Sequence, residues 1–323
     1  MQSLILLGLK QLATIASGLG KKKKLFILIF HRVLDAPDFM RPGEVDKKVF
    51  TWQMQLLAKY FNVLPLAEAL DKLDKDQLPP RAVCITFDDG YADNYLNALP
   101  ILKEHNLTAT FFIATGYLNG GIMWNDKVIE SVRNTKQIEL DLTAIELGRV
   151  SITSEHQKYQ VAQEIIQKIK HLQPKQRSQY AESIAEQAKN LPDDLMMTDK
   201  QLKSLHQNGM EIGGHTVTHP ILATLNAQDA EKEIVDNKVE LERLLERRVD
   251  FFAYPNGMPE QDYLKEHISI VKDAGYKAAV STPWGVLTKQ TDRYQLPRFT
   301  PWDKQGFKFM LRMILTYIGR RHA

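Results

Sequence analysis

The chain has 323 residues, 44% hydrophobic and 25% charged, with a formal net charge of +3, an ordinary globular composition that can fill one large α/β barrel or two smaller domains. So small a charge gives no reason to invoke nucleic acid, although it would not repel an anionic membrane or cell-wall polymer. The single cysteine, Cys84, excludes an internal disulfide framework and a Cys-rich zinc site; in RAVCITF it reads as a packed thiol in a buried strand.

Residues 1–24 read as a separate amphipathic, basic segment ahead of a single catalytic domain over 25–323. No Lys or Arg precedes the apolar SLILLGL, Lys10 interrupts the run, and four lysines follow at 21–24. This is not the layout of a secretory signal, and the run is too short and too polar to cross a bilayer. It is expected to form a helix that lies on a membrane surface or packs on the fold's own surface. The C-terminal GFKFMLRMILTYIGRRHA has the same character. The expected location is cytoplasmic or peripheral to the membrane.

From Leu25 onward, brief runs rich in β-branched and aromatic residues predict buried strands at 25–30, 82–87, 109–114, 210–214, 251–255 and 277–281. Helical periods lie between them at 46–60, 91–105, 199–208, 228–247 and 260–274. This alternation predicts a parallel sheet with helices outside it. The stretch from about 126 to 195 breaks the rhythm, being polar and helical in period with no convincing strand, and reads as a helical insertion.

Two motifs carry chemistry. In ITFDDGYADN, Asp88 and Asp89 follow directly on a strand, the end of an α/β sheet where active-site groups collect. Adjacent carboxylates repel unless a cation is shared; the plainer reading, a turn in which one Asp caps the next helix, is equally open for this triplet alone. In EIGGHTVTHPIL, His215 and His219 are four apart, so on a helical turn both rings face one way. Gly213 and Gly214 would let the chain bend off the strand. Two packing histidines are the plain alternative, but a His pair past one strand mirrored by an Asp pair past another favours a His₂Asp metal site. Three protein ligands leave open positions, the arrangement of catalytic zinc.

TFDDG at 86–90 and HTVTH at 215–219 resemble the first two motifs of the polysaccharide deacetylases, carbohydrate esterase family four. The resemblance runs from ILIFHRV to LPRF outside the insertion. It implies a distorted (β/α) barrel, a divalent metal (zinc, with cobalt or nickel possible) on Asp89, His215 and His219, and Asp88 as general base. The substrate implied is an N-acetylated oligo- or polysaccharide. FAYPNG at 252–257 is similar to the bacterial exopolysaccharide and poly-N-acetylglucosamine deacetylases, and implies a backbone N–H near Asn256 as oxyanion donor, with Tyr254 beside it.

The sequence departs from the family at two places. Ala253 stands where an arginine orients the base, and LPRF places Arg298 where a general-acid histidine is usual, which leaves Arg298 as a candidate for contacting substrate. His31, ending the first strand in ILIFHRV, is the candidate acid, since an imidazole near pKa ~6.5 can donate a proton at neutral pH. Trp284 in STPWG is a candidate for stacking on a sugar, and Trp124 and Asp126 could reach the site from the insertion. His105, His156, His171, His206 and His267 read as surface residues. The rival activities are hydrolysis of an O-acetyl ester or another amide, and a catalytically silent glycan-binding protein of an envelope pathway, which the missing arginine and histidine would favour.

Overall fold

The computed structural model describes residues 2–18, 23–188 and 191–319, and the side chains of 2–5 are not described. Seven strands make the frame: β1 Leu25–Phe30, β2 Ala82–Phe87, β3 Thr110–Ile113, β4 Glu211–Gly214, β5 Phe251–Ala253, β6 Ala278–Trp284 and β7 Leu296–Arg298. They are hydrogen-bonded in chain order, every pair parallel, with the two-residue strand Asn62–Val63 added beside β2. At the seam, Phe299 just beyond β7 donates to the Ile27 carbonyl (2.8 Å) and accepts from the Ile29 N–H (3.0 Å). The sheet thus curls into a nearly closed, distorted (β/α) barrel, as expected. The seventh strand is too short, and too interrupted by Pro297, to be read from periodicity.

β1 and β2 are buried along their whole length, which is why they read as continuous apolar runs without alternation. One set of strand residues (Ile27, Cys84, Phe112, Ala253, Val280, Leu296) forms a core closed off by Leu66, Ala69, Leu70 and Leu73 of the helix Leu66–Asp74. The complementary set, including Leu28, Phe30, Ile85, Phe87 and Phe111, packs in the main core with the surrounding helices. Phe87 stacks on Phe111 at 4.7 Å. Cys84 is a packed thiol in the first of these cores.

The N-terminal helix Gln2–Ala16 packs against the C-terminal helix Gly306–Tyr317, with Leu9 and Ala13 buried and Leu7, Leu12 and Ile15 exposed. No helix among the described residues is long and apolar enough to cross a membrane. Lys21 and Lys22 lie outside the described residues.

The insertion comprises the helices Trp124–Asn134, Glu155–Ile169 and Pro174–Ala185 around its own apolar core, in which Val128, Leu140, Ile145 and Ile165 are buried. It also holds an antiparallel hairpin, Glu139–Leu142 with Gly148–Ser151, where no strand was expected. Each arm is four residues long; the first buries one face and the second only half-buries one, so ELDL and GRVS give too short an alternation to register. His267 corrects another expectation: it is fully buried, its Nδ1 accepting the Leu264 N–H at 2.9 Å.

Candidate active site and metal centre

The strand ends at one mouth of the barrel bring the two motifs together. Nε2 of His215 and Nε2 of His219 each lie 3.3 Å from Oδ1 of Asp89. The three ligand atoms fall within 4.8 Å of one another, and that Asp89 oxygen is buried without a hydrogen-bond partner. Nδ1 of His215 sits 2.7 Å from the Ala253 carbonyl; donating there leaves the Nε2 lone pair facing Asp89, the usual orientation of a metal-ligating imidazole. Burial lowers the His219 pKa to about 4, so this ring is neutral at pH 7. Burial works against an ionised Asp89, but the surrounding imidazoles, His219 foremost, hold its pKa well below the usual carboxylate range. A buried, ionised oxygen facing two imidazole nitrogens is a donor set that fits a divalent ion.

The His pair does not sit on a helix. Residues 215–219 form an irregular loop in which Thr216 (φ 63°) and His219 (φ 51°) are left-handed. The helix Ala227–Leu245 holds this loop: Glu233 accepts from the Val217 and Thr218 N–H groups (2.8 Å each) and the Thr218 hydroxyl (2.6 Å). One turn further on, Asn237 accepts from the His215 N–H (3.1 Å) and donates to the Thr216 carbonyl (2.6 Å). Gly213 and Gly214 do not bend the chain as expected. They remain in β4, where a Cβ would strike the Phe112 ring at 2.4 Å and the Tyr276 hydroxyl at 2.2 Å respectively. Asp89 (φ 78°) and Asn256 (φ 59°) are left-handed too, so the loops around the site hold unfavourable backbone of the kind often seen at functional positions.

Asp88 points into the barrel, where Arg298 grips it bidentately at 2.6 and 2.7 Å. Both side chains are buried. Arg298 is also held by the Ser281 carbonyl and the Thr86 hydroxyl. Burial alone would raise the Asp88 pKa, but the guanidinium outweighs it and keeps the carboxylate ionised. Arg298 was expected among the substrate-contacting groups. It is fully buried instead, and brings from the last strand a guanidinium to Asp88, where Ala253 offers no charge.

His31 lines the same cavity as Asp88, Asp89, His215 and His219. Its loop is fixed from the helical stretch after the Asp pair, which opens with a π-turn at Asn94–Ala98, a widening common at functional sites. Asn94 donates to the His31 carbonyl (2.8 Å) and Asn97 to the Val33 carbonyl (2.8 Å), while Asp93 accepts from the Val33 N–H (3.1 Å) and from Arg32 (2.8 Å). Burial lowers the His31 pKa, but Asp89, Glu44 and Asp88 together outweigh it and raise it above the ordinary value.

Asn256 reaches the cavity. In its loop the Tyr254 N–H is taken by the Val280 carbonyl (3.2 Å) and Pro255 has none. The Tyr254 side chain is fully buried and stacks on Tyr263 at 3.8 Å, so it cannot touch substrate as expected. Trp284 packs with Phe299 (5.2 Å) and Trp302 (4.4 Å) near the seam and is not part of the cavity lining. Trp124 lies under Arg177 inside the insertion. Asp126 does line the cavity, but Arg41 (2.6 Å) and the Tyr91 hydroxyl (2.8 Å) occupy its oxygens. Arg41, Tyr91, Glu233 and Asn237 were not singled out from sequence. For Asn237 a signal existed: it is a polar residue within the apolar stripe Ala230, Ile234, Leu241, Leu244 of an amphipathic helix.

Comparison with known proteins agrees with this geometry. The polysaccharide deacetylase family profile matches residues 75–279. A Bacillus subtilis protein named for the same family, YxkH, is 25% identical over 280 residues, covering 86% of this chain and 71% of that protein. The poly-beta-1,6-N-acetyl-D-glucosamine N-deacetylase of Staphylococcus epidermidis is 28% identical over 195 residues, covering 57% of this chain and 65% of that enzyme. Among solved structures, Streptococcus pyogenes deacetylase PplD in complex with acetate superposes with a TM-score of 0.61 at 22% identity, covering 90% of this chain and 98% of that one. IcaB from Ammonifex degensii gives 0.57 at 17% identity, covering 91% and 97%. With its family match spanning well over half its length, this chain belongs to the polysaccharide deacetylase family.

Proposed function

We propose that this protein is a metal-dependent N-deacetylase of N-acetylhexosamine residues in an oligo- or polysaccharide, and that Asp88 acts as base beside a metal held by Asp89, His215 and His219. The observation that carries this reading is the bidentate Arg298 clamp on Asp88 next to the three-ligand cradle. A carboxylate kept ionised and aimed at the ligand set is what a hydrolytic base requires, and a silent binding module has no use for it. A divalent ion, with zinc the first choice and cobalt or nickel alternatives, supplies Lewis acidity that polarises the acetyl carbonyl and eases ionisation of water.

The chain's own residues do the rest. Asp88 takes the proton as water oxygen bonds to the acetyl carbon. The Asn256 N–H, in a loop that lines the cavity, donates to the developing oxyanion. His31 gives a proton to the amine nitrogen as the C–N bond breaks, releasing acetate and a free amino sugar. Purified protein is expected to release acetate from N-acetylglucosamine oligosaccharides, to lose that activity in chelator, and to regain it with Zn²⁺, Co²⁺ or Ni²⁺. Release from an O-acetylated glycan alone would replace this reading with the esterase.

His31→Ala separates the acid from the rest. The variant is expected to keep its fold and metal and to lose about 10²–10⁴ in amide hydrolysis, with less loss on an activated ester whose leaving group needs no proton. The acid works only while protonated and its pKa is raised. Wild-type turnover should therefore hold through neutral pH and fall as pH rises through that raised value, a limb absent from the variant. Wild-type rates in His31→Ala would remove His31 from the mechanism.

A further inference from the structure

Exposed apolar side chains are not spread evenly over this protein. Ten large hydrophobic residues stand exposed among the described residues, and six of them, Leu7, Leu12, Ile15, Trp302, Phe307 and Ile318, belong to the paired terminal helices or the few residues flanking them. Such residues scattered singly are ordinary, but a patch of them marks a surface that something covers. Between residues 6 and 16 the exposed positions of the first helix are Leu7, Gly8, Gln11, Leu12 and Ile15, which fall on one face at helical spacing. The opposite face, with Leu9 and Ala13, is buried against the fold. A surface helix normally turns charge outward. This one turns none: its single charged residue, Lys10, is half-buried at the side.

The surround of this patch is basic. Residues 1–34 and 304–323 contain no Asp or Glu, while lysines stand at 10, 21–24, 304 and 308. Where the two helices begin, Leu6 and Phe307 line one groove together with Trp52, Leu56 and the exposed Lys59 and Lys304. No carboxylate lines that groove among the described residues. Asp303, the acid nearest in sequence to the last helix, is buried and paired with Arg312 at 2.8 Å, so it offers no negative charge to the surface.

We propose that the paired terminal helices dock on the surface of an anionic phospholipid bilayer. Leu7, Leu12, Ile15 and Phe307 enter the boundary between headgroups and acyl chains, and the lysines around them meet lipid phosphates. Apolar area with a basic, acid-free surround is the complement of such a surface. A second copy of the chain is a poorer occupant. A two-fold dimer packs the same patch against itself, which would set the lysines of both copies together with no carboxylate between them. The proposal does not depend on the deacetylase reading.

The test sediments the purified chain with vesicles of phosphatidylcholine alone and of phosphatidylcholine mixed with phosphatidylglycerol. The expected result is protein pelleting with the anionic vesicles and released from them as salt is raised, since added salt screens the attraction. Leu12→Glu/Ile15→Glu, which changes only the outer face and leaves Leu9 and Ala13 in place, should bind those vesicles about a hundredfold more weakly. Lys304→Glu/Lys308→Glu should weaken binding about tenfold. It alters exposed side chains only, so it keeps the test open should the helix variant fail to fold. Both variants should melt with the wild type. No binding to anionic vesicles, equal binding to both kinds, or undiminished binding in the folded variants would overturn the proposal. So would a dimer in gel filtration that Leu12→Glu/Ile15→Glu dissolves, because the face would then belong to a second copy.

Discussion

Replacing His215 with Ala is expected to strip the protein of its metal and bring deacetylation down to background. His215 is buried, and its Nδ1 is anchored on the Ala253 carbonyl at 2.7 Å, so its Nε2 has one orientation and no neighbour able to substitute for it. With it gone, Asp89 and His219 would be two ligands where a catalytic zinc takes three. The chain would still fold, since Asn237 and Glu233 hold the loop through its backbone and only one hydrogen bond, the ring's to the Ala253 carbonyl, would be lost. Elemental analysis of the folded variant, alongside acetate release, checks this; full metal occupancy in His215→Ala would show that the three-residue cradle is not the metal site. His219→Ala should behave in the same way, with some residual occupancy, because this ring is less buried, 15% exposed against 1%.

Asp88→Asn is expected to keep the metal and lose about 10²–10⁴ in turnover, the usual cost of a missing general base. It carries a second effect that comes from the clamp. Arg298 is fully buried and would lose its counter-charge, and breaking one side of a buried ion pair typically costs about 3–5 kcal/mol. Asp88→Asn should therefore melt earlier than wild type as well as being slow. Removing both charges in Asp88→Asn/Arg298→Met should recover most of the lost stability without recovering any activity, since a neutral buried pair has no stranded guanidinium. If Asp88→Asn were to lose the metal while Asp89→Asn retained it, the roles of the two carboxylates would be exchanged.

What could be read from the sequence was what lies close along the chain. The strand-then-DDG and strand-then-HTVTH patterns place four side chains at two strand ends, and the structure brings those four together with His31 from a third. Arg298 was visible as a residue but its partner was not. It lies 210 positions from Asp88, and only closure of the barrel between β7 and β1 makes them neighbours. Tyr254 and Trp284 were assigned by motif and by residue type, and neither says which side of a strand end a side chain takes. Tyr254 turns inward onto Tyr263 and Trp284 toward the seam. The spacing of His215 and His219 suggested a helical turn for the wrong reason. Two left-handed residues and a carboxylate from a distant helix produce the same convergence by a route that spacing cannot reveal.

The chain of charges from Asp38 through Arg133, Glu130, Arg41 and Asp126 to Tyr91 bears on how separable the insertion is. A segment can be excised or exchanged between relatives when its boundary is crossed only by apolar contacts, because such a surface can reseal with other residues. Here the boundary is crossed by paired ions, and one end of the chain is the tyrosine that follows the Asp-Asp-Gly turn. Cutting out the insertion would leave Arg41 facing the cavity without Asp126 or Glu130 and free the Tyr91 hydroxyl in the cavity that Asp89, His215 and His219 line. The barrel and its insertion are therefore one structural unit, and a graft from another family member would have to carry its own loop 38–44 with it.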